Sequence, residues 1–467
     1  MENKIISVSQ VNANVAKCDN NYSASVISNI LSYRETVTSK YDGSFINIEK
    51  SILDGRGGVF TFPYGLISYI KEKVNDLEYS FELKYLEPYV LTKNLKPYLK
   101  GETYEDYQYN MIRKVGFYKR GIIVADTGAG KSFILGGLIA RFNIPSTILI
   151  VPNRTIFNQM KNYFIKWFGK DKIGLVGDSL FSPNYITIAL YQSINKLAKW
   201  KKINTFKLAL IDEVQYLNDS HIKFLKKIRE CYYRFGVTGT PRDENKEFKK
   251  AMLMIGWTGP IIGKISDKQT TTRVVPCEVF LINFYCSKPK GGTYAEILRE
   301  DILLSEVRNR KLLNAAYKLA LQKGKNCLFL LDEITQGEMI KKLAIKMNLK
   351  PYLVHSKMRK IYIDSIKDKL NNKKINLVIA TKVFGLGTDI PNVDCVVLAS
   401  ARKSEIDTLQ KIGRGRRKTE KKDELILIDS IDKINGQRKK YKYFYEYSME
   451  RMKIYKEKGW EINKILI

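Results

Sequence analysis

Short, uninterrupted hydrophobic runs alternate with longer amphipathic segments in the chain after residue 101. The runs are rich in Val, Ile and Leu and are too short for a helix that buries its whole surface. Continuous apolar runs of this kind are typical of parallel strands that helices cover on both faces. The predicted strands are Ile122–Ala125, Thr147–Val151, Ile186–Leu190, Leu208–Ile211 and Phe235–Thr238.

A second series of apolar runs follows a break between Gly256 and Lys268, where Gly, Pro and polar residues interrupt the pattern. Its predicted strands are Val279–Phe284, Cys327–Leu331, Leu377–Ala380, Val393–Leu398 and Leu425–Ile428. The pattern therefore predicts an α/β protein with two tandem parallel-sheet domains, residues 101–262 and 263–467.

Residues 1–100 have a different character, with short β-like runs between polar turns. Asp54–Gly58 is a strong turn signal, Val59–Phe62 after it predicts a strand, and Leu66–Val74 has helical spacing. We predict a small accessory α+β domain here.

A long helix is predicted at the other end of the chain, from Gln437 to Lys458, with Gly459 as its C-cap. We expect this helix to pack against the second domain. Its predicted packing stripe is Tyr441, Tyr445, Ser448, Met452 and Tyr455.

Positive charge is concentrated in the two predicted sheet domains. The 467 residues include 80 Lys+Arg and 48 Asp+Glu, a net charge of +32. Residues 1–100 contain 12 Lys/Arg and 11 Asp/Glu, so +31 of this charge belongs to residues 101–467. Such an excess indicates a polyanionic partner, most simply a nucleic acid.

Cysteine and histidine usage argues against a zinc site or a disulfide framework. The six cysteines are isolated from one another, and His221 and His355 are the only histidines. No apolar run approaches the ~20 residues of a membrane span. The sequence predicts a cytoplasmic protein, in the host cytoplasm if the gene is viral, without a membrane partner.

A phosphate-binding loop is predicted directly after the first strand of the 101–262 domain. The segment Ala125-Asp126-Thr127-Gly128-Ala129-Gly130-Lys131-Ser132 leads into a helical segment. Its glycines would let backbone N–H groups close on phosphates, and Lys131 would reach the β- and γ-phosphates of ATP. The Ser132 hydroxyl would bind Mg²⁺.

An acidic pair follows a later strand of the same domain, in Leu208-Ala209-Leu210-Ile211-Asp212-Glu213-Val214-Gln215. Parallel strands present ligand-binding residues at their carboxyl ends. We predict that Asp212 holds Mg²⁺ and that Glu213 orients and deprotonates the attacking water.

The order of these motifs resembles that of superfamily 2 helicases, because Thr238-Gly239-Thr240-Pro241 and Gln410-Lys411-Ile412-Gly413-Arg414-Gly415-Arg416-Arg417 follow. The resemblance covers residues 104–417 and implies that the two sheet domains are RecA-like. It also implies that Gln215 replaces the histidine of the acidic motif, and that Arg414 and Arg417 complete the catalytic set.

Further short motifs resemble those that contact the nucleotide and the nucleic acid in the same helicases. Gln108 would read adenine, and Gly387 and Asp389 lie in a segment similar to motif V. The residues implied to contact nucleic acid are Asn153, Arg154, Tyr191, Gln192, His355, Ser356, Lys357 and Thr381. Ser356 stands where glycine is usual.

The split of motifs between two domains predicts that ATP lies between them and draws them together, and that hydrolysis lets them part. Phe62-Pro63-Tyr64-Gly65-Leu66, with Lys458-Gly459-Trp460 near the end, resembles UvsW-type helicases, which remodel forked and Holliday-type DNA. We therefore expect a monomeric motor on branched DNA, in phage replication or recombination, with residues 1–100 engaging the junction. An RNA helicase and a duplex translocase that does not separate strands remain alternatives.

Overall fold

The computed structural model describes residues 5–38, 45–85, 95–126, 128–270, 274–287, 289–290, 292–381, 392–401, 422–436 and 439–465. The chain divides into two compact units. The first comprises Met1–Asp126 and Gly130–Ser266, and the second comprises Thr127–Ala129 and Asp267–Ile467.

The N-terminal part of the first unit is a small mixed sheet with two helices and a separate hairpin. The sheet order is β5-β6-β2-β1-β7, in which only β1 and β7 pair in parallel, while β3 and β4 form the hairpin. The predicted strand and helix near residues 59–74 are present as β6 and α2. The elements are β1 (Ile5–Gln10), β2 (Val15–Cys18), α1 (Asn21–Ile30), β3 (Ser32–Thr38), β4 (Phe45–Ser51), β5 (Asp54–Arg56), β6 (Val59–Pro63), α2 (Ile67–Asp76) and β7 (Ser80–Lys84).

An eight-stranded sheet forms the rest of the first unit, in the order β11-β10-β12-β9-β13-β14-β8-β15. All of its pairings are parallel except the edge pair β10–β11. The strands are β8 (Arg120–Ala125), β9 (Thr147–Val151), β10 (Ile173–Gly177), β11 (Leu180–Ser182), β12 (Ile186–Leu190), β13 (Leu208–Asp212), β14 (Tyr233–Thr238) and β15 (Ile261–Ile265). The helices are α3 (Asp106–Val115), α4 (Lys131–Phe142), α5 (Arg154–Phe168), α6 (Ile194–Leu197), α7 (Asp219–Lys227) and α8 (Glu244–Thr258).

The five strands predicted for this sheet are present, but the expected break at Gly256–Lys268 is wrong in part. This segment contains the edge strand β15, which pairs with β8. Gly259, Pro260 and Gly263 give the segment the composition of a loop. Its extended conformation comes from the pairing with β8, a contact between residues that are distant in sequence.

The N-terminal sheet and the parallel sheet of the first unit share a hydrophobic core and a set of buried polar contacts. Ala251 and Met252 of α8 belong to the N-terminal core. Arg234, fully buried at the start of β14, donates to the side-chain oxygen of Asn14, and Arg120 donates to the carbonyl of Ala13. These bonds fasten the β1–β2 turn to the amino end of the parallel sheet.

The second unit contains a seven-stranded sheet, in the order β18-β19-β17-β20-β21-β16-β22, with every pairing parallel. The strands are β16 (Cys277–Cys286), β17 (Cys327–Leu330), β18 (Pro351–Val354), β19 (Leu377–Ala380), β20 (Cys395–Leu398), β21 (Leu425–Ile434) and β22 (Glu461–Ile465). Its described helices are α9 (Tyr294–Glu296), continued by the π-helical turn Ile297–Leu303, then α10 (Glu306–Leu319), α11 (Ile334–Lys346), α12 (Lys360–Asn371) and α13 (Lys439–Glu457). The fold therefore agrees with the prediction: along the chain, a small α+β region is followed by two parallel-sheet domains of RecA type.

The C-terminal helix α13 packs against β21, as expected, and the face that it buries overlaps the predicted stripe. Of the predicted stripe, Ser448 and Tyr455 are buried, and Tyr441 and Met452 pack partly buried against the core, whereas Tyr445 is 43% exposed. The helix also buries Phe444, Arg451 and Ile454. The prediction missed Arg451, because a charged side chain is expected to face solvent, whereas here it is buried and pairs with Asp429 of β21 at 2.8 Å. The hydroxyl of Tyr455 donates to the same carboxylate at 2.8 Å.

Within the described ranges, no helix combines the length and the apolar character that crossing a membrane requires.

Removing the buried guanidinium should destabilise the second unit. The variant Arg451→Met would leave Asp429 buried without its ion-pair partner, so we expect its free energy of unfolding to fall by about 3–5 kcal/mol. Lys453→Met, on the exposed side of the same helix, should change it by less than about 1 kcal/mol. Urea unfolding followed by circular dichroism measures both values, and equal midpoints for the two variants would contradict this account of the helix.

Candidate functional site

The carboxyl ends of five neighbouring parallel strands place most candidate residues of the first unit along one edge of its sheet. The strand order β12-β9-β13-β14-β8 puts Tyr191 and Gln192 at one end and the phosphate loop at the other. The acidic pair Asp212 and Glu213 follows the central strand β13. Residues from five separate segments therefore line a single edge of the sheet.

The phosphate loop joins β8 to α4 through two glycines in left-handed backbone conformations. Gly128 has φ +96°, and Gly130, which caps α4, has φ +74°. A side chain at either position would strain this backbone, which is the physical reason for glycine there. Helix α4 begins at Lys131 without a side-chain cap, so its first N–H groups are oriented for an anion. Thr127 of the loop lies outside the described residues.

Lys131 and the acidic pair form one buried charged cluster. Lys131 Nζ lies 2.7 Å from Glu213 Oε1, and Gln215 Nε2 donates to Glu213 Oε2 at 2.8 Å. The structure thus brings together Lys131, Glu213 and Gln215, with Asp212 beside them. The Cα of Gly239 faces this cluster, since a Cβ built there would lie 3.7 Å from Lys131 Nζ.

The electrostatics of the cluster depend on burial and on two adjacent carboxylates. Burial, together with the Glu213 carboxylate, raises the pKa of Asp212 to about 7, while Lys131 opposes the shift. Burial acts to lower the pKa of Lys131, but Glu213 and Asp212 outweigh it and hold that pKa above its usual value. At neutral pH Lys131 is therefore charged, whereas Asp212 is close to its titration midpoint.

Two oxygens next to this cluster are buried and have no hydrogen-bond partner in the described part of the chain. They are Gln215 Oε1 and Thr240 Oγ1. Buried polar atoms are normally bonded, so these two leave room for a water or a ligand group. Arg242, which belongs to none of the sequence motifs, donates from Nε to the Gln215 carbonyl at 3.1 Å and pairs with Glu247 at 2.6 Å.

Several predicted contact residues have structural partners in this unit. Gln108 is buried, and its Oε1 accepts a bond from the Glu105 N–H at the start of α3. Asn153 caps α5 by accepting from the Ile156 N–H at 3.0 Å. Arg154 is exposed and lies 3.2 Å from Asp178. Tyr191 bonds to the backbone of the acidic pair, whereas Gln192 beside it is exposed.

The candidate nucleic-acid residues of the second unit follow two adjacent strands. His355, Ser356 and Lys357 follow β18, and Thr381 follows β19, so all four lie at one end of this sheet. Ser356 and Lys357 are exposed, while Thr381 is buried and its N–H donates to the Val354 carbonyl. Gly387, Asp389, Arg414 and Arg417 lie outside the described residues.

Two family models match the chain and together span more than half of it. Residues 102–243 match the model described as "Type III restriction enzyme, res subunit", and residues 310–419 match "Helicase conserved C-terminal domain". The first match covers the phosphate loop and the acidic pair, and the second covers the segment with Arg414 and Arg417.

Two curated relatives are similar along most of their length. The ATP-dependent DNA helicase uvsW of Enterobacteria phage T4 is 26% identical over 416 residues, 82% of this chain and 80% of the relative. The DNA 3'-5' translocase XPB2 of Sulfurisphaera tokodaii is 25% identical over 366 residues, 70% of this chain and 81% of the relative.

One solved structure shows that the fold recurs. It is a fragment described as the HsdR subunit of a type I restriction enzyme from Vibrio vulnificus YJ016. It aligns with a TM-score of 0.58 at 17% identity, and the alignment covers 93% of this chain and 78% of that chain.

The raised pKa of Asp212 predicts a pH-dependent stability in the nucleotide-free protein. The folded state holds this proton up to about pH 7, whereas the unfolded chain releases it near pH 4. Folding stability should therefore fall as pH rises through that window. Relative to Asp212→Asn, the wild type should lose about 1–3 kcal/mol between pH 5 and pH 8.

Urea midpoints of both proteins across this pH range measure the effect. Asp178→Asn, which changes an exposed carboxylate of the same unit, should differ from the wild type by a constant amount. A pH-independent difference for Asp212→Asn would show that the carboxylate already ionises near its ordinary pKa.

Proposed function

The chain belongs to the UvsW-type superfamily 2 helicases, and from that membership we propose that it unwinds or branch-migrates forked and Holliday-type DNA. The enzyme hydrolyses ATP, and its family acts on DNA as a helicase or translocase. The observation that carries the proposal is the largely buried ion pair between Lys131 of the phosphate loop and Glu213. The alignment with the phage DNA helicase, which spans 80% of that relative's length, supports the same proposal.

In the hydrolytic site, Lys131 would exchange its partner Glu213 for the phosphates when ATP binds. With ATP bound, its phosphates compete with Glu213 for the Lys131 ammonium, because phosphate oxygens are the stronger anionic partner. Glu213 is then released to accept a proton from the attacking water. Gln215 keeps a bond to the second oxygen of Glu213 and holds the carboxylate in place.

Mg²⁺ fits the residues at this site. Burial and the neighbouring Glu213 carboxylate raise the pKa of Asp212 to about 7, and Gln215 Oε1 is buried without a partner in the described residues. Ser132 and Asp212 would hold the ion through oxygen ligands, directly or through water. When bound, Mg²⁺ neutralises charge on the β- and γ-phosphates.

The remaining predicted contacts divide between nucleotide and DNA. Gln108, Thr127, Gly128, Ala129, Gly130, Gly387 and Asp389 would complete the ATP site, with Arg414 and Arg417 at the γ-phosphate. Asn153, Arg154, Gln192, His355, Ser356, Lys357 and Thr381 would follow the DNA backbone. Residues 1–100, which carry almost no net charge, would select the junction and leave the grip to the basic sheet domains.

A second candidate is translocation along duplex DNA without strand separation. The similarity to a protein named as a DNA 3'-5' translocase favours it. Both activities require ATP hydrolysis that DNA stimulates, so only strand displacement distinguishes them. We propose that a single copy acts on DNA, within the cytoplasm of the infected cell if the gene belongs to a phage.

Loss of the phosphate-loop lysine should abolish hydrolysis. Lys131→Ala removes the ammonium that pairs with Glu213 and would contact the phosphates, so we expect kcat to fall at least about 100-fold. DNA binding measured by fluorescence anisotropy should remain within about threefold of the wild type, because DNA is bound through other residues. Lys346→Ala, on the exposed end of α11, is the matched control. Turnover preserved in Lys131→Ala would refute the assignment of the ATP site.

The substrate preference can be read from the DNA that stimulates hydrolysis. We expect ATPase activity to be higher with forks and four-way junctions than with linear duplex or single strands. ATPase and strand-displacement assays across these DNAs, with a single-stranded RNA of matched length, measure this directly. Equal stimulation by RNA would overturn the DNA assignment, and stimulation by forks without displacement would favour the duplex translocase.

A further inference from the structure

The hydroxyl of Tyr191 reaches into the backbone of the acidic pair. Its oxygen lies 2.5 Å from the carbonyl of Asp212 and 3.1 Å from that of Glu213. A hydroxyl has one proton, so it donates to one carbonyl at a time, and the shorter distance favours Asp212. Tyr191 is therefore bonded to the same two residues that would hold the metal and activate the water.

The backbone that Tyr191 contacts is strained. Glu213 has φ +53° and ψ +53°, a left-handed conformation that non-glycine residues adopt at a cost and only when their surroundings impose it. In that conformation the Glu213 side chain bonds to both Lys131 and Gln215. The tyrosine hydroxyl is one of the groups that stabilise this arrangement.

The tyrosine ring itself is fixed from its other side. The ring of His221 lies 4.2 Å from that of Tyr191, centroid to centroid, with the planes tilted by 60°. His221 is buried and its Nδ1 accepts from the Asn218 N–H at 3.2 Å, so its position is set by the start of α7. A movement of the Tyr191 backbone would therefore shift the hydroxyl, because the ring cannot rotate freely to compensate.

The turn that begins at Tyr191 lies at the end of the sheet where DNA contacts are proposed. Tyr191–Ser193 form a single 3-10 turn directly after β12, and Gln192 within it is exposed. One short turn thus presents Gln192 outward and the Tyr191 hydroxyl inward to the acidic pair. Gln192 and Tyr191 are consecutive residues, so no intervening residue is needed to connect the exposed side chain to the buried hydroxyl.

We propose that Tyr191 is a positioning residue that couples DNA contact at the Tyr191–Ser193 turn to the alignment of Glu213 for hydrolysis. The coupling rests on the proposed DNA-dependent ATPase function. DNA bound at Gln192 fixes the turn, the turn fixes the hydroxyl, and the hydroxyl holds Glu213 in its left-handed conformation. Tyr191 itself contacts neither ATP nor the attacking water.

The variant Tyr191→Phe tests this, because it removes only the hydroxyl. We expect the DNA-stimulated kcat to fall about tenfold, the size of effect that one lost hydrogen bond produces. The basal kcat without DNA should fall less, so the ratio of stimulated to basal rates should decrease. KM for ATP and Kd for fork DNA should stay within about twofold. The urea midpoint should fall only slightly, because a single hydrogen bond of the fold is lost.

Tyr185→Phe is the matched control, because Tyr185 immediately precedes the same strand at its opposite end and its hydroxyl contacts Asn143 at 3.4 Å. It should leave every one of these values unchanged. An unchanged stimulated kcat in Tyr191→Phe would overturn the inference, and so would a weaker Kd for DNA with unaltered kcat, which would make Tyr191 a DNA contact.

Failure of the proposed function gives a separate result. A wild-type ATPase that no DNA stimulates would refute the DNA motor and the coupling together, whatever the variant does. A wild type that DNA stimulates, with a Tyr191→Phe variant that responds equally, would refute the coupling alone.

Discussion

In a parallel sheet the carboxyl ends of all strands lie on the same side of the sheet. The chemistry of this protein depends on that constraint. Four parts of the candidate site come from sequence positions between 125 and 241, yet each follows a strand in the row β12-β9-β13-β14-β8. They are the phosphate loop, the acidic pair, the Thr238–Pro241 segment and Tyr191. Were β13 antiparallel to β8, Asp212 and Glu213 would lie at the far end of the sheet from Lys131. The second unit obeys the same constraint, and its His355 and Thr381 follow two adjacent strands.

Buried charge is the second organising feature, and each unit handles it differently. In the second unit the carboxylates of Asp429 and Asp432 are matched by Arg451 and Arg308, each at 2.8 Å. Such pairs hold helices to the sheet in one arrangement. In the first unit Asp212 and Glu213 lie next to the ammonium of Lys131, and burial, together with the Glu213 carboxylate, raises the pKa of Asp212. Two adjacent carboxylates beside one ammonium would destabilise a purely structural core. In a site that binds a cation together with phosphate, the extra carboxylate is available for the cation.

The amino end of the same sheet has a different task. Arg234 and Arg120, at the starts of β14 and β8, bond to Asn14 and Ala13 and so anchor the N-terminal sheet. Helix α8 joins that sheet's core through Ala251 and Met252. The N-terminal region is therefore attached at the edge opposite the ATP-site residues. At that end of the sheet, the N-terminal region does not obstruct the residues of the candidate ATP site.

The sequence by itself determined the fold class, the ten central strands and the positions of Lys131, Asp212, Glu213 and Gln215, because buried strands and phosphate loops have local signatures. The sequence did not predict the edge strands: β18 begins with Pro351 and β22 is largely polar, since an edge strand needs no apolar run. It also did not predict the interior strand β10, where glycine occupies two of the five positions. Only the tertiary structure decided that Arg451 joins the buried face of α13, because a charged side chain is buried only where a partner such as Asp429 meets it. Only the tertiary structure, too, connected Tyr191 to the acidic pair. That contact joins residues about twenty positions apart on strands that are not neighbours in the sheet, and no periodicity along the chain encodes it.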